Sequence, residues 1–225
     1  MSRSRDDVMA RVRKALGKIG RDEHGLASAE AYLAQRAQGP RPAQAGDLVE
    51  RFMRRARDME STVERIADRS EIPAQVARYL GAAQLSLASS GQKANEGVCW
   101  PELAALDWIG AGLKIETRPT IGSDRLGITG VFCAIAETGT MVILSGAESP
   151  TATMLLPETH VAVVRADRIV AGMEDAFALI RRERGELPRA VNLISGPSRT
   201  GDIEQTIVLG AHGPYRVHIL VVSNC

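Results

Sequence analysis

The stretch Val217-His218-Ile219-Leu220-Val221-Val222 is apolar at every position but one, and Val191-Asn192-Leu193-Ile194-Ser195 is a second, nearly unbroken run. A half-buried strand alternates apolar with polar residues, whereas a continuous run suits a strand covered on both faces. Both segments therefore read as strands of a buried sheet. Upstream, residues 173–184 carry a helical pattern, and residues 113–117, 140–144 and 161–164 read as further strands. Residues 62–66 and 84–88 give two short strands on either side of a helix that opens at Ser70 and turns Ile72, Val76, Tyr79 and Leu80 inward. Another helix starts at Asp47, whose carboxylate caps it, with Leu48, Phe52, Ala56 and Met59 on one face.

Strands separated by helices favour parallel pairing with right-handed crossovers. The expected fold is α/β: a three-layer α/β/α domain with a mostly parallel sheet over residues 43–225. Residues 1–42 read instead as an N-terminal helical arm. There Val8, Val12, Ala15, Leu16 and Ile19 share one helical face, a second helical piece covers 28–37, and Gln38-Gly39-Pro40-Arg41-Pro42 breaks the chain.

Composition narrows the function. With 28 basic and 27 acidic residues the formal charge is +1, so no global field draws in nucleic acid or an anionic membrane. No apolar signal core follows the N-terminus and no apolar run reaches membrane-spanning length, so a cytoplasmic location is expected. Cys99, Cys133 and Cys225 lie far apart, without the spacing of a zinc or iron–sulfur ligand run, and no G-x-G-x-x-G follows a strand. No intrinsic cofactor is expected, and no metal site.

Three segments carry candidate chemistry. The first runs Gly127-Ile128-Thr129-Gly130-Val131-Phe132-Cys133-Ala134-Ile135-Ala136-Glu137-Thr138-Gly139-Thr140, from a glycine-rich turn through an apolar stretch into a strand. Its one carboxylate, Glu137, sits among hydroxyl and backbone donors, where it serves as base, nucleophile or hydrogen-bond anchor, or else braces the loop. The second is Ser195-Gly196-Pro197-Ser198-Arg199-Thr200-Gly201-Asp202-Ile203-Glu204, a strand end, a loop of small and hydroxyl residues and a short acidic helix. Such a junction gathers backbone N–H groups for an anion, and Arg199 adds a charged fork, unless it only neutralises Asp202 and Glu204. The third is Leu209-Gly210-Ala211-His212-Gly213-Pro214, whose imidazole is able to exchange protons near neutral pH. His160 and His218 fall at or within strands and read as structural.

Taken in this order, the segments A-E-T-G-T, G-P-S-R-T-x-D-I-E and H-G-P resemble the LutC/YkgG family of LUD-domain proteins, over roughly residues 127–222. Gly201 stands where the family pattern has alanine. The resemblance implies a fold like that of the NagB/RpiA/CoA-transferase superfamily. It further implies a component of an L-lactate utilisation system, oxidising lactate to pyruvate beside partner proteins that carry iron–sulfur clusters. Thr129, Gly130, Thr138, Gly139, Thr140, Ser195, Gly196, Ser198, Arg199, Thr200 and Asp202 are then expected around a small carboxylate or phosphate-containing ligand, with Glu137 and His212 as catalytic candidates; Glu137, Thr138, the loop from Ser195 to Thr200 and His212 are expected to converge at one sheet edge. Two other readings stand beside this one: a CoA-transferase-like or sugar-phosphate-isomerase-like enzyme using Glu137, and a non-catalytic regulatory or interaction module.

Overall fold

A computed structural model describes residues 4–17, 22–37, 39–42, 46–82, 95–200 and 208–224. The chain divides into two compact units, Met1–Ala43 and Gln44–Cys225. The first unit holds α1 (Arg5–Ala15) and α2 (Glu23–Gln35), opened by Ser4 and Asp22, whose side chains accept from the Asp7 and Gly25 N–H groups. Val8, Val12 and Leu16 are exposed, and neither helix buries a described side chain. Ile19 and Gln38, part of the sequence reading of this region, lie outside the described residues.

The second unit runs α3 (Leu48–Asp58), β1 (Thr62–Asp68), α4 (Ile72–Ala82), β2 (Glu96–Cys99), β3 (Lys114–Glu116), β4 (Leu126–Gly130), β5 (Cys133–Ile135), β6 (Thr140–Leu144), α5 (Ala152–Leu155), β7 (Thr159–Arg165), β8 (Ile169–Val170), α6 (Met173–Arg184), β9 (Val191–Ile194), β10 (Arg199–Thr200), β11 (Val208–Leu209) and β12 (Arg216–Asn224). Asp47 caps α3 as expected, accepting from the Val49 and Glu50 N–H groups. Before α4, Asp68 and Glu71 form a reciprocal capping box around a single 3₁₀ turn.

Six strands form the central sheet in the order β1-β12-β7-β4-β2-β3, every pair parallel. Its helices lie on both sides, and β12 shows why its sequence is apolar throughout. Leu220 and Val222 face a layer with Ile72, Val76 and Leu80 of α4, while Val217, Ile219 and Val221 face Phe52, Met53 and Ala56 of α3. Neither face meets water.

On the α3 side the structure adds a layer that the apolar runs do not announce. A second sheet, in the order β8-β5-β6-β9, packs Ala134, Ala136, Met141 and Ile169 against the central strands, and α6 covers its far face through Ala176, Leu179 and Ile180. Strand β9 therefore pairs antiparallel with β6 instead of joining the parallel sheet, and Leu193 is exposed on it. The presumed glycine-rich turn at Gly127 is also a strand, β4, with all five residues buried. Gly127 answers to packing, since a Cβ there would strike the Thr153 carbonyl, whereas one at Gly130 would meet only the movable end of the Glu102 side chain. Residues 84–88, read as a strand, lie outside the described residues. Among the described residues no helix is long and apolar enough to cross a membrane.

Two histidines sit inside the central sheet, and neither is exposed. Thr129 Oγ1 lies 2.8 Å from His160 Nε2, Thr62 Oγ1 lies 2.8 Å from His218 Nδ1, and Tyr79 stacks on His218 at 4.0 Å. Burial lowers the pKa of each to about 4, from an ordinary 6.5. Between those values the unfolded chain binds protons that the folded chain refuses, so stability is full above pH 6.5 and declines as pH falls. Thermal unfolding should show a loss on the order of 3 kcal/mol between pH 7.5 and pH 5, before most carboxylates titrate. A flat profile across that window would contradict neutral, buried histidines.

Candidate functional site

The turn between β5 and β6 is Ala136-Glu137-Thr138-Gly139. Gly139 adopts φ 70°, and a Cβ there would collide with the backbone of Ala56 at the end of α3. The glycine thus lets the hairpin dock on that helix. From the turn a chain of hydroxyls runs inward: Thr138 Oγ1 lies 2.6 Å from Thr140 Oγ1, which lies 2.7 Å from Ser195 Oγ. Two of the sequence motifs are joined by these contacts.

Gly196 follows the same logic as Gly139. Its φ is 79°, and a Cβ would strike the Met59 carbonyl, again at the C-terminal end of α3. The loop then turns back, with Ser198 N–H donating to Pro214 O at 2.8 Å and Gly210 N–H donating to Ser198 O at 2.9 Å. Strands β10 and β11 pair antiparallel, Thr200 opposite Val208. This hairpin seats the His212-Gly213-Pro214 turn against Ser198, so the second and third motifs also meet.

Around this junction lies a cavity of about 200 Å³. Ser195, Gly196, Ser198, His212 and Gly213 border its polar side, Met154, Leu155, Leu193, Ile194 and Val217 its apolar side, and His160 also lines it. Among the described residues, no aspartate, glutamate, lysine or arginine lines it. The sequence reading passed over His160, because a strand histidine usually only satisfies itself within the core. No periodicity marks it out; its position follows from β7 lying beside β4.

Several expected residues stand elsewhere. Glu137 lines neither this cavity nor the larger cleft described next; its N–H donates to Ala171 O at 3.1 Å. Arg199 points to α3, donating to Met59 O at 3.1 Å and pairing with Glu60 at 3.2 Å. Thr129 acts from beneath, through His160. Asp202, Ile203 and Glu204, with the acidic helix expected there, lie outside the described residues. The position of the cavity differs too. His160 and Val217 are the second residues of β7 and β12, so it opens at the amino ends of the parallel strands, whereas open α/β folds place ligands at the carboxyl ends.

The carboxyl ends hold a cleft of about 450 Å³ that includes Gly130, the last residue of β4, with Trp100, Glu102, Phe132, Arg168 and Arg184. Arg168 is held by Glu183 at 2.6 and 2.8 Å and lies over the Phe132 ring at 4.7 Å. Gly130 is thus separated from the other candidate residues.

Comparison with known proteins gives a consistent result. The LUD domain family model matches residues 49–222. Lactate utilization protein C of Bacillus licheniformis is 34% identical over 103 residues, which cover 44% of this chain and 43% of that protein. Lactate utilization protein C 1 of Bacillus mycoides is 37% identical over 118 residues, covering 51% of this chain and 50% of that one. The match thus spans about half the length of these relatives. A solved DUF162 family protein from Deinococcus radiodurans superimposes with a TM-score of 0.55 at 24% identity, over 81% of this chain and all of that one, which shows the fold.

The contacts of Gly196 and Arg199 predict separable effects. Gly196→Ala forces a side chain into a left-handed residue against the Met59 carbonyl and should cost at least about 2 kcal/mol in thermal or urea unfolding. Arg199→Ala removes a largely exposed pair and one backbone contact, and should cost about 1 kcal/mol while leaving function at permissive temperature intact. Wild-type stability in Gly196→Ala would contradict the packing described for α3.

Proposed function

The chain belongs to the LUD-domain family, and on that footing we propose that it is a component of an L-lactate utilisation system. It would work with iron–sulfur partner proteins in oxidising lactate to pyruvate, itself carrying neither cluster nor other cofactor. The names of the matched relatives support the first part. The second draws support from the cysteines: Cys99 and Cys133 are buried singly, burial raises both thiols, that of Cys133 to about 12, and Cys225 lies outside the described residues. A buried, protonated thiol is a poor metal ligand.

One observation carries the site assignment. Ser195, Gly196 and Ser198 of one motif and His212 of another border one cavity of about 200 Å³. Convergent polar groups in an otherwise apolar pocket are the usual form of a small-molecule site. The size suits a small organic acid. An enzyme of CoA-transferase or isomerase type working through Glu137 has less support, since that carboxylate lines neither cavity described above.

The test is growth of the native host on L-lactate as sole carbon source. A deletion strain complemented by the wild-type chain should grow, whereas one carrying Leu193→Trp should not, because the indole fills the cavity from an exposed rim position with little cost to folding. Growth on glucose and the unfolding temperature should stay near wild type. Normal growth of the deletion strain on lactate would remove the system assignment. Normal growth of Leu193→Trp alone would remove only the cavity.

A further inference from the structure

The cleft at the carboxyl ends of the parallel strands lies where the chain reverses its course through the sheet. From β2 the next central strand is β3, on one side, and from β4 it is β7, on the other, although β2 and β4 are neighbours. Open α/β folds hold ligands in the crevice at such a switch point. Here Trp100 and Glu102 follow the end of β2, Gly130 closes β4, and Val131 and Phe132 come next. The cleft of about 450 Å³ has room for an organic ligand, and it shares no lining residue with the cavity of about 200 Å³.

Its charges do not all cancel. Arg168 directs both terminal nitrogens to Glu183 and its Nε to the Phe132 carbonyl, and Arg165 pairs with Asp167 at 3.0 and 2.6 Å. Three lining groups are left over. Among the described residues Glu102, Glu148 and Arg184 form no ion pair: Arg69 donates to the backbone carbonyl of Glu102 and not to its carboxylate, and Arg184 lies over the Phe132 ring at 5.7 Å. Glu148 and Arg184 also line an adjoining space together, with Leu144 and Ser149, so they stand around one opening without meeting. All three are exposed, and a solute reaches them directly.

Two unpaired carboxylates and one unpaired guanidinium, set beside Val131 and Phe132, match a ligand that carries the opposite charges on a short apolar stem. A simple anion would meet two like charges there. A metal ion would lack ligands, since among the described residues no three His, Cys, Asp or Glu side chains gather as a metal site. We propose that this cleft binds a basic α-amino acid, with one carboxylate and two ammonium groups joined by methylenes. The carboxylate pairs with Arg184 and the α-ammonium with Glu148, the two groups that share the adjoining space. The side-chain ammonium reaches Glu102, and the methylene stem lies along Val131 and Phe132. This site is independent of the lactate reading, which uses other residues.

The test is titration calorimetry of the full chain with L-lysine and three analogues that each lack one charge. Norleucine lacks the side-chain ammonium, 6-aminohexanoate the α-ammonium and cadaverine the carboxylate. L-Lysine should bind, and each analogue should bind about fivefold or more weakly. Removing a charge from the protein should then matter only where the ligand carries its partner. Arg184→Gln should weaken L-lysine about fivefold or more and leave cadaverine unchanged; Glu148→Gln should spare 6-aminohexanoate in the same way, and Glu102→Gln norleucine. The three positions are exposed, so unfolding temperatures should stay near wild type. Leu193→Trp, which fills the other cavity, should leave L-lysine binding as it is. No L-lysine binding up to about 1 mM, equal affinity for L-lysine and norleucine, or an Arg184→Gln variant that loses cadaverine as much as L-lysine would overturn the proposal. Any of these results would leave the growth phenotype, and with it the lactate-utilisation reading, standing.

Discussion

Residues Arg216–Asn224 carry parallel hydrogen-bond ladders on both edges, to β1 on one side and to β7 on the other. A strand in that position needs every interior backbone group paired and both faces covered, and β12 meets the second demand with six consecutive buried residues, Val217 to Val222. The rest of the second unit is arranged around it. Pairing with β1 brings in α3 and α4 on opposite faces, and pairing with β7 sets Val217 beside His160 in register.

From that frame the C-terminal end of α3 takes on a role larger than its length suggests. Gly139 and Gly196, from two different motifs, both approach its backbone too closely for any side chain, and Arg199 ties the same end through Met59 and Glu60. Much of what looked like ligand chemistry in the motifs is therefore docking chemistry. The glycines and the arginine place the loops, and Ser195, Ser198 and His212, which follow from them, border the cavity. Arg199 is engaged by this helix end, through Met59 O and Glu60.

The fold was largely legible because its signals are local. Asp47 caps α3, the pattern at 173–184 is α6, and the apolar runs at 140–144, 161–164 and 217–222 are β6, β7 and β12. Pairing direction was not legible for β9, since its apolar residues are equally consistent with either sheet and only the tertiary partner, β6, decides. Strand β4 was hidden by its two glycines, of which Gly127 is demanded by the Thr153 carbonyl, distant in sequence. At the site, Ser195, Ser198 and His212 were visible as motif residues, while His160 was not. Its place beside the cavity depends on β7 lying next to β4 and on loops more than thirty residues away, and neither leaves a pattern in the sequence.

The central claim is that the working cavity lies at the amino ends of β7 and β12, over His160. A crystal structure of the full chain soaked with L-lactate or pyruvate tests it most directly. The account predicts ligand density between Leu193, Ser198 and His212. Density instead in the cleft beside Gly130, Glu102 and Arg184, at the carboxyl ends of the strands, with the His160 cavity empty, would contradict it.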